Sequence, residues 1–219
     1  MKMRVLITAG PTYEPLDPVR FIGNHSTGKM GYALAETFAA EGAEVVLISG
    51  PTNLPDPTSP TIRTVRVQTA DEMYRAAAAE AAATDVWVFA AAVADYKPAH
   101  VAENKIKKAG DTLVLELVKN VDIAAELGKT KRPGQFSVGF ALETENEQAH
   151  ALGKLQRKNF DLVVLNSLRD AGAGFRHDTN KITLLEADGQ VTIFDLKSKA
   201  EVARDIVRAV LARLPHPHA

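Results

Sequence analysis

The chain has 219 residues, 46% of them apolar and 24% charged, with 26 Lys and Arg set against 27 Asp and Glu for a formal charge of −1. That length suits one large α/β domain or two small ones, and the near-balance of charge argues against a dedicated nucleic-acid binder. With no Cys there is no disulfide framework, thiolate metal site or cysteine nucleophile, and no apolar run approaches the roughly 18 residues that a membrane-spanning helix needs.

The start, MKMRVLITAG, is too short in its apolar part for a secretory signal and runs directly into a strand pattern, so a cytoplasmic protein is expected. Met3 suggests a start just ahead of a domain boundary. The first predicted strand covers 5–8 (VLIT), a continuous apolar run of the buried parallel kind. A dinucleotide site would then turn through G-x-G-x-x-G directly into a helix. Instead Gly10-Pro11 breaks the chain, and Pro15 and Pro18 oppose early helix formation. The helix is expected over 28–41 with Ser26 or Thr27 as its N-cap, which leaves 9–25 as an irregular loop of the length that usually carries function.

Within that region GNHSTGKMG, residues 23–31, follows the phosphate-loop pattern G-x-x-x-x-G-K until Met30 replaces the magnesium-binding hydroxyl. Three readings stand: an altered triphosphate loop, glycines that only permit a tight turn and close packing, or a helix N-terminus that binds an anion with help from Arg20 and Asn24.

Further along, strands are predicted at 45–49, 86–91, 136–140 and 161–166, with helices at 70–83, 121–129 and 145–158 between them. Residues 93–120 read as a polar loop followed by an alternating strand over 112–118. Residues 180–196 read as a hairpin turning at Asp188-Gly189. A helix over 199–214 closes a single domain of residues 1–214, and 215–219 (PHPHA) is a disordered tail. Strand alternating with helix at this spacing predicts an α/β fold, Rossmann-like and doubly wound, whose mainly parallel sheet carries a small antiparallel appendage.

The pieces GPTYEPLDPVRFIGNHSTGKMG (10–31), AAVADYKP (91–98), KIKK (105–108), VKNVDIA (118–124), VGFALET (138–144) and DTNKI (178–182) occur in one order across almost the whole chain. Together they resemble the phosphopantothenoylcysteine synthetase family of coenzyme A biosynthesis, often fused behind a flavin-dependent decarboxylase. Two departures, Tyr13 for a common basic residue and Val121 for a common Pro, touch no residue expected to be essential.

The resemblance implies a phosphopantothenate–cysteine ligase. It would activate 4′-phosphopantothenate with CTP as an acyl-cytidylate, releasing pyrophosphate, and then form the amide with L-cysteine and release CMP. Both nucleophiles come from the substrates, so the protein positions groups and stabilises charge. Asp95 follows a buried strand at its carboxyl end, where a hard oxygen suits Mg2+ held by one carboxylate and the substrate phosphates. A turn or cap role would also explain it.

Lys105 lies in a hydrophilic loop able to close as a flap, and the resemblance gives it the triphosphate and the transition states. On its own it would read as a solvated charge, as Lys107 and Lys108 do. Asn24 is assigned to catalysis on the acyl intermediate, and it could otherwise be a turn residue. Arg20 offers a planar fork for phosphate or carboxylate. Ala91 and Ala92 are small enough for a substrate to approach the backbone. Nucleotide contacts are implied at Val121, Asp122, Ile123 and Ala124, where a helix starts, at Phe140, which ends a strand, and at Lys154 and Lys158 on one helix face. As isolated features the Phe would be core and the lysines a solvated face. His25 reads as a structural donor.

The resemblance further implies a homodimer paired near 112–118 and 182–194, and a decarboxylase flavoprotein as partner. Nucleic acid and membrane are not expected. The competing readings are a Rossmann-type NAD(P) oxidoreductase and a non-catalytic partner module of a flavoprotein.

Overall fold

The computed structural model describes residues 2–108, 110–143, 147–167 and 178–214. Its main element is an eight-stranded sheet. In chain order the strands and helices are β1 (Arg4–Ala9), α1 (Lys29–Ala40), β2 (Glu44–Ser49), β3 (Ile62–Arg66), α2 (Ala70–Ala81), β4 (Val86–Phe89) and α3 (Ile123–Gly128). They continue with β5 (Phe136–Glu143), α4 (Glu147–Arg157), β6 (Leu162–Ser167), β7 (Ile182–Glu186), β8 (Val191–Ile193) and α5 (Lys199–Leu211). The strand order is β8-β7-β6-β5-β4-β1-β2-β3. Strands β1 to β6 pair in parallel, and β7 and β8 join antiparallel at one end. The chain thus winds outward from β1 through β2 to β3, then returns to β4 and winds the other way, the dinucleotide-fold order.

The central strands read as unbroken apolar runs because both faces of the sheet are covered. One face packs α1 and α5 against Val5, Ile7, Leu47, Val88, Val164 and Leu184. On the other, Met73 and Ala77 of α2 and Leu127 of α3 meet Leu6, Ile48 and Trp87. Ala151 and Leu155 of α4 meet Val163, Leu165 and Leu185. Capping boxes start α2, from Thr69 and Glu72, and α5, from Ser198 and Glu201.

Several expectations need correction. Residues 9–25 are not wholly irregular: Tyr13–Pro15 pairs antiparallel with Phe21–Gly23, and the Tyr13 and Phe21 rings stack at 3.8 Å. Helix α1 begins at Lys29, and its N-cap is Gly28 in the left-handed region (φ 78) with no side-chain cap bond. Ser26 Oγ accepts only the Gly28 N–H, at 3.3 Å.

The alternating stretch 112–118 forms a strand only at Leu117–Lys119, against Tyr96–Pro98; the Glu116 carbonyl still accepts the Ala99 N–H at 2.9 Å, and among the described residues 112–115 have no ladder partner. Strand β3 escaped the sequence reading because its edge position leaves Arg63 and Arg66 exposed. Hairpin 180–196 divides into β7–β8, turning through Gly189 (φ 88), and a ribbon of Thr179–Asn180 with Lys197–Ser198. The predicted tail 215–219 lies outside the described residues. No helix among the described residues is long and apolar enough to cross a membrane.

Candidate active site

Strand order reverses between β1 and β4, so the connections leave a crevice beyond their carboxyl ends. The segment leaving β4 is pinned there from three sides. Ala92 donates its N–H to the Gly10 carbonyl at 2.9 Å, and the Ala92 carbonyl accepts from Thr12 N–H at 3.3 Å. Thr12 Oγ1 accepts the N–H of Ala94 at 3.0 Å. Asn120 donates from Nδ2 to the Ala94 carbonyl at 2.8 Å, and its backbone N–H donates to the Asp95 carbonyl at 2.9 Å. Residues 91–95, with Asp95 at their end, are therefore held to the segment that opens α3.

A cavity of about 330 Å³ fills the crevice. It brings together Ala91, Ala92 and Asp95, the run Val121–Ala124, Phe140, Lys154 of α4 and Lys158 just past its end. Asp122 caps α3 by accepting the Ala125 N–H at 3.1 Å, and its Oδ1 also lies 2.9 Å from Lys158 Nζ. Helix α3 is only six residues long, shorter than the sequence implied. Phe160 reaches the cavity because Gly139 beneath it has no side chain: a Cβ there would stand 2.1 Å from the ring.

The far wall is the start of α1. Ser26 to Gly31 line it, and Gly31 lets the helix approach β1, where an added Cβ would come within 2.4 Å of Ala9 Cβ. Lys29 pairs with Asp178 at 2.5 Å. Lys199, 8% exposed, also lines the cavity. Burial pushes its ammonium below the usual lysine range, the Lys29 charge adds to that, and Asp178 acts in the opposite sense.

Sequence reading missed Asn120 and Asn166, which line the cavity with side-chain Oδ1 atoms buried and without a hydrogen-bond partner. The bond from Nδ2 to Ala94 fixes which way the Asn120 amide points. Orphaned acceptors of this kind fit a guest that brings donors such as ribose hydroxyls or an exocyclic amine. The only signal in the sequence was that Asn120 precedes a helix start and Asn166 ends a strand.

Three expected residues fall outside the cavity lining. Asn24 is exposed and donates from Nδ2 to the carbonyls of Ala92 at 3.0 Å and Val93 at 3.3 Å, so it grips the β4 loop from outside. Arg20 donates from Nη2 to the Ile106 carbonyl at 2.7 Å. Lys105, next to Ile106, is exposed. Asp17 anchors this corner. Burial alone would push its carboxyl up, but the N–H groups of Ile106, Val19 and Arg20, with the Arg20 charge, hold it below the usual carboxylate range.

The NAD(P) alternative finds no acid at the end of β2. Ser49 stands there, bonded to Tyr32 at 3.0 Å and donating to the Gly50 carbonyl at 2.9 Å.

The sequence and fold have counterparts in known proteins. The chain is 50% identical over 208 residues to a cysteine/cysteine sulfinic acid decarboxylase from an unknown prokaryotic organism, covering 95% of this chain and 58% of that protein. It is 44% identical over 211 residues to the coenzyme A biosynthesis bifunctional protein CoaBC of Haemophilus influenzae, covering 96% of this chain and 52% of that one. The chain thus spans little more than half the length of these relatives. The crystal structure of the C-terminal domain of a CoaBC protein superposes with a TM-score of 0.83 at 41% identity, covering 97% of this chain and 95% of that one. Residues 1–214 match the model of the DNA/pantothenate metabolism flavoprotein C-terminal domain, and it is to that family, through both its sequence and its eight-stranded fold, that this chain belongs.

Proposed function

We propose that the chain is a phosphopantothenate–cysteine ligase of coenzyme A biosynthesis, using CTP to activate the carboxylate. One observation carries the reading: the crevice between β1 and β4 holds a single cavity that gathers Asp95, the Val121–Ala124 wall, Phe140, Lys154 and Lys158. Its size and its two orphaned amide acceptors suit part of a nucleotide, and its lysines suit a polyphosphate.

In the first step a carboxylate oxygen of phosphopantothenate attacks the α-phosphorus of CTP. The bond to the departing pyrophosphate breaks, and an acyl-cytidylate remains. In the second step the cysteine amine attacks the acyl carbon, the acyl C–O bond breaks, CMP leaves with the electron pair, and the ammonium proton passes to solvent. A carboxylate needs this exchange because oxide is no leaving group at neutral pH.

Lys154 and Lys158 hold phosphate oxygens, Lys158 sharing its charge with Asp122. Val121 to Ala124 and Phe140 form the nucleotide wall, and Ala91 and Ala92 leave the acyl group room to reach the backbone. Asn24 and Lys105 donate to charge that develops in the transition states, and the other guanidinium nitrogens of Arg20 meet a substrate oxyanion. Mg2+ would neutralise polyphosphate charge. Asp95 is the residue to hold it, and the described residues contain no cluster of three or more His, Cys, Asp or Glu that could cage a metal without the phosphates. The same reading makes the chain a cytoplasmic homodimer working with a decarboxylase flavoprotein.

The test uses CTP labelled at the α-phosphate, with phosphopantothenate and no cysteine. Pyrophosphate and a labelled acyl-cytidylate are expected. Labelled CDP with orthophosphate would replace the mechanism by an acyl-phosphate route. No turnover of any of the four nucleoside triphosphates would leave a binding module, and tight NADPH binding would revive the oxidoreductase.

A further inference from the structure

Residues 16–20 and 102–106 are joined mainly by side chains. Asp17 is 3% exposed, and its Oδ1 accepts the N–H groups of Val19 at 2.8 Å and Arg20 at 2.9 Å. Those two bonds complete a local turn. The second oxygen is not needed for that turn, and it accepts the N–H of Ile106 at 3.0 Å. Arg20 Nη2, 3.5 Å from Asp17 Oδ2, takes the Ile106 carbonyl at 2.7 Å. Both backbone groups of Ile106 are thus held by the members of one ion pair. A further bond, from Ala102 N–H to the Leu16 carbonyl at 3.0 Å, roots the near end of the same segment.

A buried carboxylate is costly to desolvate and persists only where donors surround it. Here the donors are gathered from two loops far apart in sequence. The segment they seize, VAENKIKKAGD, is hydrophilic and has little apolar surface of its own to hold it in place. We propose that Asp17, with Arg20 as the opposing jaw, is the positioning residue of Lys105: by gripping Ile106 it sets where the neighbouring ammonium stands. The inference rests on Lys105 acting in the activation step.

Pyrophosphate release is measured for wild type, Lys105→Gln, Asp17→Asn and the double variant. Misplacing a charge by about an ångström typically costs about 10²-fold, so Asp17→Asn lowers kcat by about that factor while KM for CTP stays within about threefold. Because Asp17 acts through Lys105, the double variant is no slower than Lys105→Gln alone. The Ile106 amide, protected in wild type, exchanges at least about tenfold faster in Asp17→Asn while β4 amides keep their protection.

Losses that multiply in the double variant, or an Asp17→Asn enzyme at wild-type rate, overturn the proposal. A Lys105→Gln enzyme at wild-type rate overturns instead the role of Lys105 on which it depends, and shows this before Asp17 is touched. Should Asp17→Asn fail to fold, Ile106→Pro removes the same N–H from the loop side and must show the same kcat loss and the same non-additivity.

Discussion

Asn24 donates its amide to Ala92 and Val93, so the group expected to meet a developing oxyanion also steadies the loop that ends in Asp95. In Asn24→Asp a carboxylate would face those two carbonyl oxygens, with no donor left to offer either them or the acyl group. The amide-forming step should slow by about 10²–10³-fold, more than activation does, so that acyl-cytidylate accumulates even with cysteine present. Quenched reactions with α-labelled CTP check this, and equal slowing of both steps would refute it. At this scale spacing placed Asp95 at a strand end and Lys154 and Lys158 on one helix face, while their expected roles came only from the family resemblance. Asn120 and Asn166 were not legible. An orphaned acceptor exists only once the fold has buried it, and nothing local in the chain marks which amide will lose its water.

Among the elements, the buried strands announced themselves as apolar runs, and the helices as the stretches that alternate with them. The failures share one cause, which is that a partner distant in sequence decides the outcome. Strand β3 pairs on one side only and keeps its arginines in solvent. Residues 112–115 have the alternation of a strand but no ladder among the described residues. Helix α1 starts at a left-handed Gly28, because Gly10 and Thr52 crowd that position: a Cβ there would lie 2.8 Å from Thr52 Cγ2. Gly139→Ala tests the packing of β5 directly. Its methyl would meet the Phe160 ring, so the variant should lose about 1–3 kcal/mol in urea unfolding and weaken nucleotide binding as the ring is pushed toward the cavity. Unchanged stability would show that Phe160 can move aside freely.

For the molecule as a whole, the short strand Leu117–Lys119 and the residues leading into it expose an apolar strip. Val114 is 91% and Leu113 58% exposed, and Leu115, Leu117 and Val118 accompany them. A strip of this kind on a strand edge calls for cover. The expected outcome is a homodimer by sedimentation at micromolar concentration, and Val114→Asp with Leu117→Asp should shift it to monomer and lower activity. A fully active wild-type monomer would refute the pairing.

By itself the sequence determined the fold class, the family and the chemistry to look for. Apolar periodicity is written locally, and long motifs such as residues 10–31 are specific without any coordinates. Only the tertiary structure decided that ten of the expected residues line one cavity while Asn24, Arg20 and Lys105 stand outside it, gripping its loop or held on a neighbouring one. The reason is physical. A strand order that reverses at β1 and β4 brings together segments far apart in sequence, and hydrogen bonds between loops, such as those of Asp17 and Asn120, form only after that order exists.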